Sequence, residues 1–282
     1  MCRKEMIVEI LNSHYGGTSL LKYSESDDEI QFQLPTPIRD TQAAVFRSRA
    51  TVLNELAISH RLSLLVGRGK YGVPEDFAFA IKNIESVVHS IEAVGEYSVS
   101  LRFEVITRRR DTITALRSTL VTKYGVEAHT TITSFNILPP ALANFVRRAR
   151  QFLDFSDVKM SRDKSYLSTV ADNHFRYHPS EDDRLSDGRR VDHVPALTLI
   201  DIALCVNRMG HQGAVDSNIS AEFLNYTDPR LAFDILQKKD QGATEFVQNG
   251  QLVAIAYITA IGPSSIERSE DEAEVFALLS RP

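Results

Sequence analysis

The sequence predicts an α+β fold of two tandem halves, each a long central helix wrapped by an antiparallel β-sheet. Three observations carry this reading. Two long helical stretches, residues 41–67 and 195–210, are strongly apolar and lie far apart in the chain. Each is followed by about four strand-like runs. Both series end in a similar hairpin, LVTKYGVEAHTTIT in the first half and EFVQNGQLVAIAYIT in the second. A helix that is apolar almost all round must be covered on several sides, and a curled antiparallel sheet covers it.

The elements follow in order. Asp40 and Thr41 form an N-cap signal for the first long helix, which is expected to stop at Gly67. FAFAIKNIES reads as a strand, and YSVSLRFEVITRRRDTITALRSTLVTKYGVEAHTTITSF holds two or three more, with turns at Arg109-Arg110-Asp111 and Tyr124-Gly125. NILPPALANFVRRARQFLDF then breaks the pattern. Pro139 and Pro140 precede an amphipathic helix with Leu142, Phe145, Val146, Ala149 and Phe152 on one side, and this is read as the joint. A polar, irregular stretch from Ser161 to Gly188 leads into the second long helix. SNISAEFLNY, RLAFDILQKK, ATEFVQ and LVAIAYITAIG are the strands after it, with Asn249-Gly250 as a two-residue hairpin turn. Two such units in tandem make a double hotdog. The domains are therefore 1–137, a linker helix at 138–156, 157–263, and an acidic then apolar tail at 264–282. The repeat is one of element order, since the halves share little sequence.

Bulk properties narrow the function. With 282 residues, 43% hydrophobic and 24% charged, the chain can build a large core and is not disordered as a whole. A net charge of −5 disfavours nucleic acid as the main partner. Two cysteines, Cys2 and Cys205, suggest neither a disulfide framework nor a zinc site, and suit a reducing cytosol. No signal peptide and no window long enough to span a bilayer is evident, so a soluble cytoplasmic protein without metal or cofactor is expected.

The stretch RRVDHVPALTLIDIALCVNRMG, Arg189 to Gly210, concentrates the chemistry. Pro195 suits a first helical turn and Gly210 a helix end. Between them lie Leu197, Leu199, Ile200, Ile202, Ala203, Leu204 and Val206, yet Asp201 sits in the middle, on one stripe with Thr198 and Cys205. A buried carboxylate needs partners or takes up a proton. It is either a hydrogen-bonded structural residue or a catalytic one. His193 is the nearest titratable neighbour, and the backbone N–H groups of Ala196 and Leu197 are placed to hold an oxyanion. Cys205, a thiol in an apolar helix, reads as packing.

The run VDHVPALTLIDIAL resembles the second-half signature of the A-factor synthase family, the A-factor biosynthesis hotdog proteins that make γ-butyrolactone and butenolide signals. That signature reads DHVPG, a few apolar residues, then EAARQ. Asp192-His193-Val194-Pro195 matches it, Ala196 replaces the glycine and Asp201 the glutamate, while Leu204 and Cys205 stand at the arginine and glutamine. The segment is also similar to the PGxLxxE element of hotdog acyl-carrier dehydratases, whose acid again falls on Asp201. In the first half, Tyr71-Gly72-Val73-Pro74 is similar to the family's GVP, which places Ala57 at its glutamate and His60-Arg61 at its arginine-glutamine, so the first-half motif is degenerate. Glu55 points to another side of the helix. The likeness spans about Gln31 to Gly262.

The resemblance implies an acyltransferase and condensing enzyme. A β-ketoacyl group on acyl carrier protein passes to the hydroxyl of a three-carbon phosphate such as dihydroxyacetone phosphate and closes to a butenolide, in signal-molecule or polyketide biosynthesis, including offloading from an assembly line. Asp201 and His193 are the implied catalytic pair, and Arg189 and Arg190 the first choice for the phosphate, ahead of Arg176 and His178. A solvated loop is the bland alternative for the two arginines. Arg108-Arg109-Arg110 reads as a solvated turn or as a contact for an acidic carrier protein. The acyl chain would run between the halves or between subunits of a homodimer. A hotdog dehydratase or thioesterase, and a non-catalytic acyl- or carrier-binding module, are the other readings.

Overall fold

The protein is described here from a computed structural model, covering residues 19–23, 29–33, 51–89, 98–110, 112–122, 124–149, 166–179, 193–210 and 217–261. The first half contains β1 (Ser19–Tyr23), β2 (Glu29–Gln33), α1 (Thr51–Gly69), β3 (Ala78–Val88), β4 (Ser98–Arg109), β5 (Thr112–Thr122) and β6 (Glu127–Leu138). A short helix, α2 (Pro140–Ala149), joins it to the second half. That half contains β7 (Tyr166–Ala171), β8 (His174–His178), α3 (Ala196–Gly210), β9 (Ser217–Phe223), β10 (Phe233–Lys238), β11 (Ala243–Gln248) and β12 (Gln251–Ala260).

All twelve strands form one sheet in the order β1-β2-β4-β5-β6-β3-β9-β12-β11-β10-β8-β7, with every neighbouring pair antiparallel. Read outward from the middle, the two halves have one topology: strand by strand, the second half repeats the first. They meet at β3 and β9, where Asn83, Ile84, Glu85 and Ser86 stand opposite Glu222, Ala221, Ser220 and Ile219. The fold is a double hotdog, and α1 and α3 are its central helices.

Each strand shows why it sits where it does. Leu101 and Phe103 on β4, and Ile219 and Ala221 on β9, alternate with more exposed residues, as a sheet with one covered face requires. The hairpin between β11 and β12 turns on Asn249 and Gly250, both with positive φ (51° and 74°), the conformation an Asn-Gly turn supplies. Arg110 and Gly125, with φ of 57° and 81°, mark the other expected turns.

The helices fill the inside. On α1, Val52, Leu53, Leu56, Ala57, Ile58, Leu62 and Val66 are all buried. Its first turns, from Val52 to Ala57, pack in one apolar cluster with α3 and the second-half strands, while Ile58, Leu62 and Val66 pack with β2, β4, β5 and Phe135 of β6. α1 therefore ties the two halves together.

Three expectations are corrected. The helix runs through Gly67 to Gly69, because Gly67 is a packing position: a Cβ there would meet Phe79 Cζ at 2.9 Å. The stretch read as irregular, Ser161 to Gly188, contains β7 and β8, so among the described residues each half has six strands and two of them precede the helix. On α2 the inward residues are Ala143, which is buried, and Val146, while Leu142 and Phe145 are exposed. The cap at Asp40-Thr41, Phe152 and the tail lie outside the described residues. No described helix is long and apolar enough to cross a membrane.

Candidate functional site

The start of α3 is held from the loop after β9. Val194 donates its backbone N–H to Thr227 Oγ1 at 2.8 Å, and the Thr227 hydroxyl donates to the Val194 carbonyl at 3.5 Å. The next residue, Pro195, has no N–H to lose, and its carbonyl accepts from Thr198 and Leu199 at 3.0 and 3.3 Å, closing the first turn. The N–H groups of Ala196 and Leu197 come earlier than any intrahelical acceptor can reach. The His193 ring stands edge-on to Tyr226, centroids 5.3 Å apart and planes at 85°.

The loop that holds them is itself fixed. Leu224 and Asn225 donate to the Val253 carbonyl, and Asn225 Nδ2 to the Leu252 carbonyl at 2.8 Å. Further along, Gln248 accepts from the Asp228 N–H at 2.7 Å and donates to the carbonyls of Asp228 and Leu231.

These residues border a cavity of about 550 Å³ at the seam between the halves, a volume that suits a small organic ligand. From the second half come His193, Val194, Pro195, Ala196 and Leu199, with Phe223 to Thr227. From the first come His60, Leu64 and Arg68 of α1, Phe79 to Lys82 of β3, and Asn136 and Leu138 of β6; Val146 of α2 completes the wall. The wall is mainly apolar, with two histidines and two cations set into it.

Arg68 is bound to its own loop. It donates to the carbonyls of Pro74 at 2.7 Å and Phe77 at 3.1 Å, and its guanidinium lies 5.3 Å from the centre of the Phe79 ring. Burial lowers its pKa from the usual value. Burial also pushes the His60 imidazole down to about 4, with the Arg61 charge adding to the effect. His60 is therefore neutral near pH 7. It is 8% exposed, and its Nδ1 finds no hydrogen-bonding partner among the described residues.

The residues expected from sequence fall in four places. His193 and Ala196 border the cavity, and Leu197 follows in the same first turn, buried at 5% exposure. Asp201 is 2% exposed and does not border the cavity: two residues past Leu199, it faces the other side of the helix. Arg189, Arg190 and Asp192 lie outside the described residues. The weaker phosphate candidates border no part of the cavity. Arg176 donates through Nε and Nη2 to Asp234 Oδ1 at 3.0 and 2.6 Å, and His174 adds a 3.0 Å contact. Burial works to raise the Asp234 pKa, but these bonds outweigh it and hold the carboxyl below its usual value. Leu204 and Ala57 are both core residues. Arg108 lies 5.3 Å from the centre of the Tyr71 ring.

Sequence reasoning missed His60, Arg68, Tyr226 and Thr227 as site residues. His60 appeared in the sequence only at the place of the family's arginine in a degenerate motif, and Arg68 lay just past the expected end of the helix at Gly67. The last two follow β9 without any motif. A second polar cluster also escaped it. His129 Nε2 shares a 2.6 Å hydrogen bond with Ser86 Oγ, and His129 Nδ1 lies 3.8 Å from Glu55 Oε2, all three buried. Burial, helped by the charge of His89, pushes the His129 pKa down to about 3, so it is neutral there despite its acidic neighbour.

No family model and no curated protein sequence matches the chain. Among solved structures it is similar to an acyl-ACP thioesterase from Bacteroides thetaiotaomicron, at 9% identity and a TM-score of 0.48, covering 84% of this chain and 99% of that one. It is similar to a MaoC-like dehydratase at 11% identity and a TM-score of 0.44, covering 75% and 82%. It is also similar to an acyl-CoA thioesterase II from Mycobacterium marinum at 12% identity and a TM-score of 0.38, covering 92% and 98%. At such identities function does not follow from likeness of fold.

Proposed function

We propose that the seam cavity takes a β-ketoacyl thioester delivered on acyl carrier protein, transfers the acyl group to the hydroxyl of a three-carbon phosphate such as dihydroxyacetone phosphate, and condenses the ester to a butenolide. The observation that supports this is the placement of the DHVP segment: His193 and the start of α3 open onto a mainly apolar cavity of about 550 Å³. An acyl chain needs such a wall, and a thioester carbonyl needs donors at one end of it.

The roles follow from position. The hydroxyl oxygen attacks the thioester carbon, and His193 takes its proton. The N–H groups of Ala196 and Leu197 hold the tetrahedral oxyanion. The carbon–sulfur bond breaks, and the proton passes from His193 to the leaving thiolate, giving an ester and free carrier thiol. The carbon between the two carbonyls then loses a proton and attacks the ketone of the three-carbon unit. That attack closes the ring and leaves an alkoxide, which takes the proton back as a hydroxyl; loss of the second proton of the same carbon together with this hydroxyl releases water and leaves the ring double bond. Asp201, buried on α3 away from the cavity wall, is assigned a positioning role for that helix rather than contact with the substrate. Arg189 and Arg190, just before His193 in the chain, are assigned the phosphate, with Lys82 and Arg68 as the cations on the cavity wall.

The test is to incubate the protein with β-ketoacyl carrier protein, with and without dihydroxyacetone phosphate, and follow carrier and product by intact mass spectrometry. Loss of the acyl group only with the phosphate, and a new ester or butenolide phosphate, supports the proposal, and Asp201→Asn should then lower turnover while the fold survives. Acyl loss to water alone would replace it with a thioesterase, loss of water from a 3-hydroxyacyl carrier with a dehydratase, and binding without turnover with a carrier-binding module.

A further inference from the structure

The seam cavity lies where the twelve-stranded sheet forks. β3 runs from Ala78 to Val88 with β6 beside it along that length. On its other side β9 pairs with Asn83 to Ser86 only, and Glu222 is the last β9 residue opposite β3. One residue later β9 ends at Phe223, and the chain turns to β12, where the N–H groups of Leu224 and Asn225 donate to the Val253 carbonyl. Ala78 to Lys82 therefore have no strand on their second side among the described residues. Residues 79–82 line one part of the cavity wall and residues 223–227 another, so the gap between the diverging chains belongs to the cavity.

Alternate side chains of a strand point to opposite faces of its sheet. Four strand residues in a row cannot all reach a cavity that lies on one face. Phe79 and Ile81 point inward: both pack against the first-half core, and the Phe79 ring meets that of Phe135 at 5.0 Å. Ala80 and its cross-strand neighbour Asn136, which is exposed, lie on the outer face. A cavity lined by all of these meets the edge of β3 and opens onto both faces. It is a slot through the sheet, and on its inner side it reaches His193 and Ala196 at the start of α3.

An unpaired strand edge presents N–H and C=O groups in the plane of the sheet. Such an edge pairs with an extended chain that carries amides of its own. The slot is blind at one end, because β3 and β9 pair again from Asn83 and Glu222 onward. A polypeptide running through as an added strand would collide with that junction, whereas an arm that turns inward and ends there would not. The pantetheine arm of an acyl carrier has that form. It is narrow, it has two amides separated by one more carbon than in a peptide, and it ends in the thioester. We infer that the open edge of β3, Phe79 to Lys82, pairs with the amides of the carrier's pantetheine arm, which enters from the outer face and delivers its thioester to the start of α3. This rests on the acyl-carrier reading of the cavity but not on the transfer to a three-carbon phosphate. No bond is made or broken at the edge, which positions the arm alone.

The test uses pantetheine itself and an analogue with esters in place of both amides, which keeps the length and removes the two N–H donors. Dissociation constants are measured by calorimetry, and amide hydrogen exchange is followed residue by residue, since exchange is fast at an open edge and slowed by pairing. Pantetheine is expected to slow exchange within Phe79–Lys82 by about tenfold or more. The diester should bind about tenfold more weakly, as the loss of two hydrogen bonds implies, and protect nothing there. The amide analogue of an acyl pantetheine, a non-hydrolysable acyl probe, should protect the same segment. Ala80→Leu, which fills the outer mouth of the slot, should weaken pantetheine binding by a similar factor in a protein that still melts cooperatively; should it fail to fold, the two ligands decide without it. No binding of pantetheine, equal affinity for the diester, or protection confined to other segments overturns the inference. Equal protection of the edge by an unrelated extended peptide also overturns it and makes the slot a peptide site. Protection by pantetheine in a protein that turns over no acyl-carrier substrate would sustain the inference while removing the proposed reaction, and turnover without protection would do the reverse.

Discussion

Thr227 holds Val194 by both of its backbone groups, the N–H at 2.8 Å and the carbonyl at 3.5 Å. One buried hydroxyl from the loop after β9 thus fixes the residue between His193 and Pro195. Thr227→Val keeps the shape and removes the hydroxyl. It leaves the Val194 N–H unpaired and is expected to destabilise the fold by about 1–3 kcal/mol. Turnover should fall by more than binding of the acyl probe, because His193 loses its placement. A denaturant melt and single-turnover kinetics check the two parts.

His60 and His129 make stability depend on pH. Both have folded pKa values pushed down by burial, to about 4 and about 3, from a usual value of 6.5. Between those values the unfolded chain binds more protons than the folded one, so stability rises with pH there. The contribution is fully present above about pH 6.5 and is lost as pH falls, at up to about 1.4 kcal/mol per pH unit for each histidine. The melting temperature should drop from pH 7 to pH 5, and a folded His129→Gln variant should show a shallower drop.

Ser86 and His129 share a buried 2.6 Å bond between β3 and β6. Ser86→Ala strands the imidazole Nε2 in the core and is expected to cost about 1–3 kcal/mol. Because neither residue borders the seam cavity, the affinity for an acyl probe should stay within threefold of wild type. A large loss of affinity in a protein that remains folded would show that this cluster belongs to the site.

Gly67 and Phe79 are in close contact, and a Cβ on Gly67 would lie 2.9 Å from the ring. Phe79 also stands edge-on to Phe135 at 5.0 Å and borders the cavity. Gly67→Ala should displace the ring and destabilise by about 1–3 kcal/mol. Long acyl probes should lose more affinity than short ones, which a chain-length series measures.

The legible parts of this fold were those with a local cause. Asn249-Gly250 announces its hairpin because few residues tolerate positive φ, and the apolar run after Pro195 announces a buried helix. β7 and β8 were missed because β7 lies at the edge of the sheet and YLSTVADNHFRYH is polar enough to read as loop. Gly67 was misread as a stop because a glycine that admits a neighbouring ring looks the same in sequence as one that ends a helix. The site divides the same way. His193 and Ala196, singled out because Pro195 and the helix start are local signals, both border the cavity. Asp201 reads as buried from its apolar neighbours, but that it does not border the cavity depends on how the helix is rotated against β11 and β12. His60 and Thr227 border one cavity because the halves meet along β3 and β9 and through α1, contacts between residues more than a hundred positions apart.

The most direct test is a crystal structure of the protein with the β-ketoacyl pantetheine amide. The acyl chain is expected in the seam cavity, with its thioester-equivalent oxygen within hydrogen-bonding distance of the Ala196 or Leu197 N–H and His193 beside the carbonyl carbon. A probe bound elsewhere, or in the cavity with its carbonyl turned away from the start of α3, would contradict it.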